Sequence, residues 1–102
     1  PGIGVQKVAA PSQAQGATLA GSATQTGTST LAFTAPASSW VDVHYTVNGG
    51  DAQTVRLRSA GGSASYTAGG LKKGDVVEYR FTAWDAARQV AVDSVPRTAV
   101  MR

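Results

Sequence analysis

From residue 40 the chain reads WVDVHYTV, with Val41, Val43, Tyr45 and Val47 on one parity and Trp40, Asp42, His44 and Thr46 on the other. Alternation over eight residues predicts a strand with one buried face, carrying the valines and Tyr45, and one face turned outward. Asn48, Gly49 and Gly50 follow; such residues tolerate positive φ and predict a turn. Alternation resumes over residues 53–58 with Val55 and Leu57 inward, which completes a hairpin. Matching the buried parities across the turn sets Tyr45 opposite Val55, His44 opposite Arg56 and Asp42 opposite Arg58.

A second unit lies in SASYTAGGLKKGDVVEYRFTAW: a short strand ending near Ala68, a glycine-rich corner, and a long strand over residues 75–85. Its inward set is Val77, Tyr79, Phe81 and Ala83; its outward set is Val76, Glu78, Arg80, Thr82 and Trp84. Weaker strand candidates occupy 17–22 and 29–34 upstream, and 89–94 and 98–101 downstream, with Pro96 breaking the last two apart. Seven or eight short strands in a chain of this length predict an all-β fold, an antiparallel β-sandwich of the immunoglobulin or fibronectin type III kind. The predicted core holds Val43, Tyr45, Val55, Leu57, Val77, Tyr79 and Phe81. In that topology the strand starting at Trp40 runs antiparallel beside the strand ending at Trp84, so the two tryptophans become neighbours on the outward face.

With 102 residues the chain has room for one core and one domain. The opening PGIGVQKVAAPSQAQG is small, polar and proline-containing, which reads as a linker over 1–15 ahead of a single module over 16–102. There is no cysteine, so no disulfide framework or thiolate metal site is expected. No apolar run approaches the roughly 20 residues of a membrane helix, and the first residues lack the basic and apolar regions of a leader, which a processed secreted parent would have lost. The net charge of +3 is modest and its cations are scattered, only Lys72 and Lys73 being adjacent. No basic arm for nucleic acid results.

Trp40 and Trp84 carry the candidate chemistry. A pyranose ring exposes a face of C–H groups bracketed by hydroxyls, and an outward indole desolvates that face while leaving the hydroxyl edge to polar neighbours. Covering roughly 80 Å² of one indole at about 25 cal/mol per Å² contributes on the order of 2 kcal/mol. The bland alternative is a tryptophan tucked under a loop, as tryptophans usually find cover. His44, flanked by Arg56 and Arg80 with Asp42 nearby, supplies donors and an acceptor suited to a neutral polyol; a lone histidine on a solvated strand is its plain alternative. Catalysis finds no support, since the six carboxylates sit mostly in turns or at strand ends and form no glycosidase pair. No cofactor is expected. Arg56, Arg58 and Arg80 beside tryptophans would also suit single-stranded nucleic acid, but the interspersed Asp42 and Glu78 repel a phosphate track.

SSWVDVHYTVNGG, a following QxVRL strand, SYTAGGLKKGDVVEYRFTAW and AVDS together resemble carbohydrate-binding module family 56 over residues 29–94. These are small β-sandwich modules appended to bacterial β-1,3-glucanases. The resemblance implies a non-catalytic, monomeric, secreted module that binds β-1,3-glucan such as curdlan or laminarin and holds a covalently linked catalytic domain at insoluble substrate. From the family, Trp40, Asp42 and His44 and the outward strand ending in Trp84 carry over as the binding row. The segment after Trp84, AARQVAVDSVPRTAV, is less aromatic than the family leads one to expect. The competing expectation is a fibronectin-type spacer or protein-interaction domain with no sugar ligand, and the arrangement of the two tryptophans separates the two.

Overall fold

The structure, a computed structural model, describes residues 19–102; the expected linker over 1–15 and the first part of the candidate strand over 17–22 lie outside them. Nine strands form among the described residues: β1 (Ser22–Gln25), β2 (Leu31–Pro36), β3 (Val41–Val47), β4 (Gln53–Arg56), β5 (Arg58–Ala60), β6 (Ser63–Ala68), β7 (Val76–Asp85), β8 (Val90–Asp93) and β9 (Arg97–Val100). They make two antiparallel sheets, one ordered β1-β2-β6-β5 and the other β4-β3-β7-β8, with β9 also on β7. This is the immunoglobulin-like division of strands that the turn spacing predicts.

The two inner faces meet in one core. Leu31, Phe33 and Ala35 of β2 and Ala64 and Ala68 of β6 come from the first sheet; Val41 and Val43 of β3 and Val77, Tyr79, Phe81 and Ala83 of β7 come from the second. Phe33 is the hub, its ring 5.1 Å from Tyr45, 5.4 Å from Tyr79 and 6.3 Å from Phe81. Tyr45 and Val55, expected in the core, are half-buried and pack against it from its margin.

The hairpin keeps its parity but changes its register. Asn48 and Gly49 both take positive φ (54° and 72°) and the Gly50 amide donates to the Val47 carbonyl at 3.0 Å, the geometry of a type I′ turn. That turn alone would set Tyr45 opposite Ala52. It lies opposite Gln53, so one extra residue bulges out between Gly50 and Gln53. His44 is therefore opposite Thr54, not Arg56, and Asp42 is opposite Arg56, not Arg58. The expected single strand over 53–58 is in fact two. At Leu57, buried and donating its amide to the Val41 carbonyl at 2.8 Å, the chain leaves β4 and crosses to the other sheet as β5. Arg58 goes with it and pairs with Ser65, away from the outward face of β3.

On the far side of β7 a second bulge matters for function. Ser94, buried, donates its amide to the Phe81 carbonyl at 2.8 Å and accepts the Phe81 amide on its own hydroxyl oxygen at 2.8 Å. Arg97 is the next residue in register, opposite Tyr79. Val95 and Pro96 are left facing Arg80, two residues against one, which is the definition of a bulge. Pro96 has no amide to give the ladder, and the break between β8 and β9 falls there.

Candidate functional site

The outward face of the β4-β3-β7-β8/β9 sheet is organised in cross-strand rows. The Trp84 amide donates to the Trp40 carbonyl at 3.2 Å; next come Asp42 opposite Thr82, His44 opposite Arg80 and Thr46 opposite Glu78. β4 sets Arg56 beside Asp42 and Thr54 beside His44. β8 sets Ala91 beside Trp84 and Asp93 beside Thr82. All six residues singled out in the sequence, Trp40, Asp42, His44, Arg56, Arg80 and Trp84, thus share this face.

The two indoles are in contact, with centroids 6.3 Å apart and planes 32° apart, and both are half-buried. The pairing matches the expectation, although each ring covers part of the other. Ser38, just upstream, donates its hydroxyl to the Trp84 carbonyl and fixes the entry to β3 against the end of β7. The Arg56 guanidinium lies 5.0 Å from the Trp40 ring centroid, within the range of a cation–π contact. Its Nε donates to Asp42 Oδ1 and its Nη2 to Asp42 Oδ2 at 3.4 Å. Asp42 therefore holds Arg56 over Trp40, and one edge of the apolar corner is a fixed, paired charge.

His44 is held at both ring nitrogens. Asp93 Oδ1 takes the Thr82 hydroxyl proton at 2.6 Å, so Thr82 Oγ1 has only lone pairs left for its other neighbours. It accepts from His44 Nε2 at 2.8 Å and from Arg80 Nη1 at 3.3 Å. Nε2 thus carries the proton of the neutral ring, and Nδ1 accepts the Thr54 hydroxyl at 2.9 Å. Arg80 Nη1 also donates to Asp93 Oδ1 at 3.2 Å. Burial first, and the Arg80 charge second, lower the His44 pKa below its ordinary 6.5, while Asp42 and Asp93 pull it up. The network therefore suits a neutral imidazole.

A stability consequence follows with a definite sign. The unfolded chain protonates His44 around its ordinary value, whereas the folded chain resists protonation until lower pH. The contribution is whole above about pH 6.5 and is lost as pH falls through that value toward the folded pKa. Urea unfolding midpoints of the wild type should fall between about pH 7.5 and 5, and those of H44Q should fall less over the same interval. Equal slopes would mean that the network does not hold the ring neutral.

Two grooves open on this face and meet at Arg80 and Pro96. One, about 270 Å³, is bordered by His44, Thr46, Ala52 and Glu78; the other, about 460 Å³, by Asp93, Ser94 and Val95. Pro96 of the bulge, with Arg80, forms their shared wall. Thr54, Thr82 and Asp93 complete the site and were not singled out as site residues in the sequence. For Asp93 the signal was available in parity: Val92 is inward and buried, so its neighbour must face outward beside Thr82.

Comparison with protein families matches residues 21–94 to carbohydrate binding module family 56, a span that holds the paired tryptophans, the Asp42–Arg56 pair and the His44 network. The chain belongs to carbohydrate-binding module family 56. Membership makes it a non-catalytic module whose partner is a polysaccharide. In the crystal structure of a Br derivative of BhCBM56 the same fold recurs, with a TM-score of 0.72 at 22% identity over 80% of this chain and 90% of that one. Among curated proteins no match is found. β9, which closes the outward face of this family 56 module, lies beyond the matched residues.

Proposed function

We propose that this family 56 module binds β-1,3-glucan, of the curdlan and laminarin type, along the outward face of β3 and β7, and that it serves as the targeting part of a secreted enzyme, holding a linked glycoside hydrolase on insoluble polysaccharide. The observation that carries the reading is the contacting pair Trp40 and Trp84 at one end of an outward face whose next rows are Asp42 with Thr82 and His44 with Arg80. A flat β-1,4 ribbon calls for rings spread along one plane. Two rings 6.3 Å apart and tilted by 32° offer one apolar corner instead, followed by recessed hydrogen-bonding groups, which favours the curved path of a β-1,3 chain. Trp40 and Trp84 take a sugar face; Asp42, His44 and the Arg56 and Arg80 guanidinium groups orient its hydroxyl edge.

The charge pattern disfavours a nucleic acid. Arg58 is on the other sheet, and Arg56 and Arg80 are each paired with a carboxylate, so among the described residues no free cation track runs beside the tryptophans. A fibronectin-like spacer would have no need of the tryptophan pair or of the hydrogen-bonding rows beside it.

Retention on insoluble glucans tests the reading. The protein should be retained on curdlan and poorly on cellulose, with little change between low and moderate salt, because a neutral ligand releases no counterions. Short oligosaccharides should bind in about the micromolar to millimolar range once ordering costs are subtracted, and polymer should hold better through its many neighbouring sites. Equal retention on cellulose, or collapse of retention in moderate salt, would defeat the assignment.

A further inference from the structure

Below the His44–Arg80 row the outward face continues for two more rows that the reading above leaves unused. Thr46, Glu78 and Thr98 lie side by side on β3, β7 and β9, and beyond them Val76 and Val100 are cross-strand partners. Three observations set this end apart. Val76 and Val100 are 38% and 51% exposed, two of the four large exposed hydrophobic residues among those described. Glu78 is exposed and has no salt-bridge partner among the described residues, whereas Asp42 and Asp93 on the same face are each paired with an arginine. Thr46 Oγ1 is shielded from solvent and has no hydrogen-bond partner, an arrangement that leaves a polar group unsatisfied. An apolar pair beside a carboxylate and hydroxyls repeats the tryptophan end in outline, here with the carboxylate unpaired, and both Thr46 and Glu78 line the groove that begins at His44.

We propose that this end is a second subsite for the same neutral glucan chain, with Glu78 as its specificity-determining residue. The inference rests on the β-1,3-glucan reading and extends it. A chain crossing from Trp84 to Val76 follows eight residues of β7, about 26 Å at roughly 3.3 Å per residue, so it is long oligosaccharides that reach both ends. Glu78 accepts sugar hydroxyls in charge-assisted hydrogen bonds, the strong class, and Val76 and Val100 cover a ring face. Since Arg56 and Arg80 are already neutralised, Glu78 leaves this face with a net negative charge and turns away anionic glucans. Thr98 and Val100 lie beyond the residues matched to the family, so two of the five subsite residues come from β9.

The test compares laminaribiose with laminarihexaose by calorimetry and by amide shifts in NMR spectra, in the wild type, E78Q and V76S. In the wild type, hexasaccharide should shift the amides of Thr46, Glu78, Thr98 and Val100 as well as the tryptophan indoles. Losing one charge-assisted bond should cut the affinity gained between disaccharide and hexasaccharide by about tenfold in E78Q, with V76S reducing it in the same direction. Binding of carboxymethylated β-1,3-glucan should rise in E78Q. Both side chains are exposed, and unchanged thermal midpoints would show that the fold is intact. A wild type that binds hexasaccharide with shifts confined to the tryptophan end, or an E78Q whose chain-length gain equals the wild type's, overturns the second subsite alone. A wild type that is retained on curdlan but binds no laminarihexaose likewise overturns the second subsite alone, whereas one that is not retained on curdlan defeats the β-1,3-glucan reading, and this extension with it.

Discussion

Alanine at position 21 should destabilise the module by about 2–3 kcal/mol, through overpacking of the core. A Cβ on Gly21 would stand 2.4 Å from Cδ2, 2.5 Å from Cε2 and 3.1 Å from Cγ of Phe81. Three atoms of one ring are involved, so rotating the ring does not clear them. Nor is the ring free to shift: Phe81 is fully buried, with Tyr79 at 5.8 Å and Phe33 at 6.3 Å, both edge-on. Relief must come from lifting the start of β1, an edge strand held by β2 alone. For a domain of this size the thermal midpoint should fall by about 10–20 °C. Gly69 provides the control, since a Cβ there meets nothing within 4 Å. G69A should leave the midpoint unchanged or raise it slightly by restricting the unfolded chain. Equal midpoints for G21A and the wild type would show that the close approach of Gly21 to the ring does not exist in solution.

Removing either indole should weaken retention on β-1,3-glucan by about thirtyfold, the ratio that corresponds to the roughly 2 kcal/mol of one covered ring. W40A and W84A are not equivalent. Trp40 also lies under the Arg56 guanidinium, which Asp42 positions, so W40A releases a charged side chain over the site while W84A leaves that side chain in place. Because the two rings touch, each single variant also loosens the other ring. The double variant should therefore lose less than the sum of the singles, because each single variant already gives up the contact between the rings. The half-burial of both rings predicts a stability cost of about 1 kcal/mol for each, measurable by urea unfolding and separable from the loss of binding. Retention of W84A equal to wild type, with the fold intact, would remove the tryptophan pair from the site.

The sequence by itself determined which way side chains point. Period-two alternation over β7 assigns Val77, Tyr79, Phe81 and Ala83 to the core and Glu78, Arg80, Thr82 and Trp84 to the outward face, and the structure agrees at each position. The same alternation sets Trp40, Asp42 and His44 on one row, and the immunoglobulin-like strand order brings Trp40 to Trp84. Parity is a local property of a pleated chain, fixed by the backbone and by which residues avoid water.

Which residues face one another was decided only by the tertiary structure. A register shift of two residues preserves parity, so the alternation around Asn48 could not distinguish Asp42 opposite Arg58 from Asp42 opposite Arg56. The type I′ turn and its bulge settled that, and with it the contact that holds Arg56 over Trp40. Leu57 is inward whether the strand continues or crosses sheets, so the departure of Arg58 to the other sheet left no mark on the pattern. The tautomer of His44 depends on Thr54, Thr82 and Asp93, which approach from three different strands. Alternation along one strand carries no information about its neighbours across the sheet; hydrogen-bond register and turn geometry supply it, and these are set when the strands assemble.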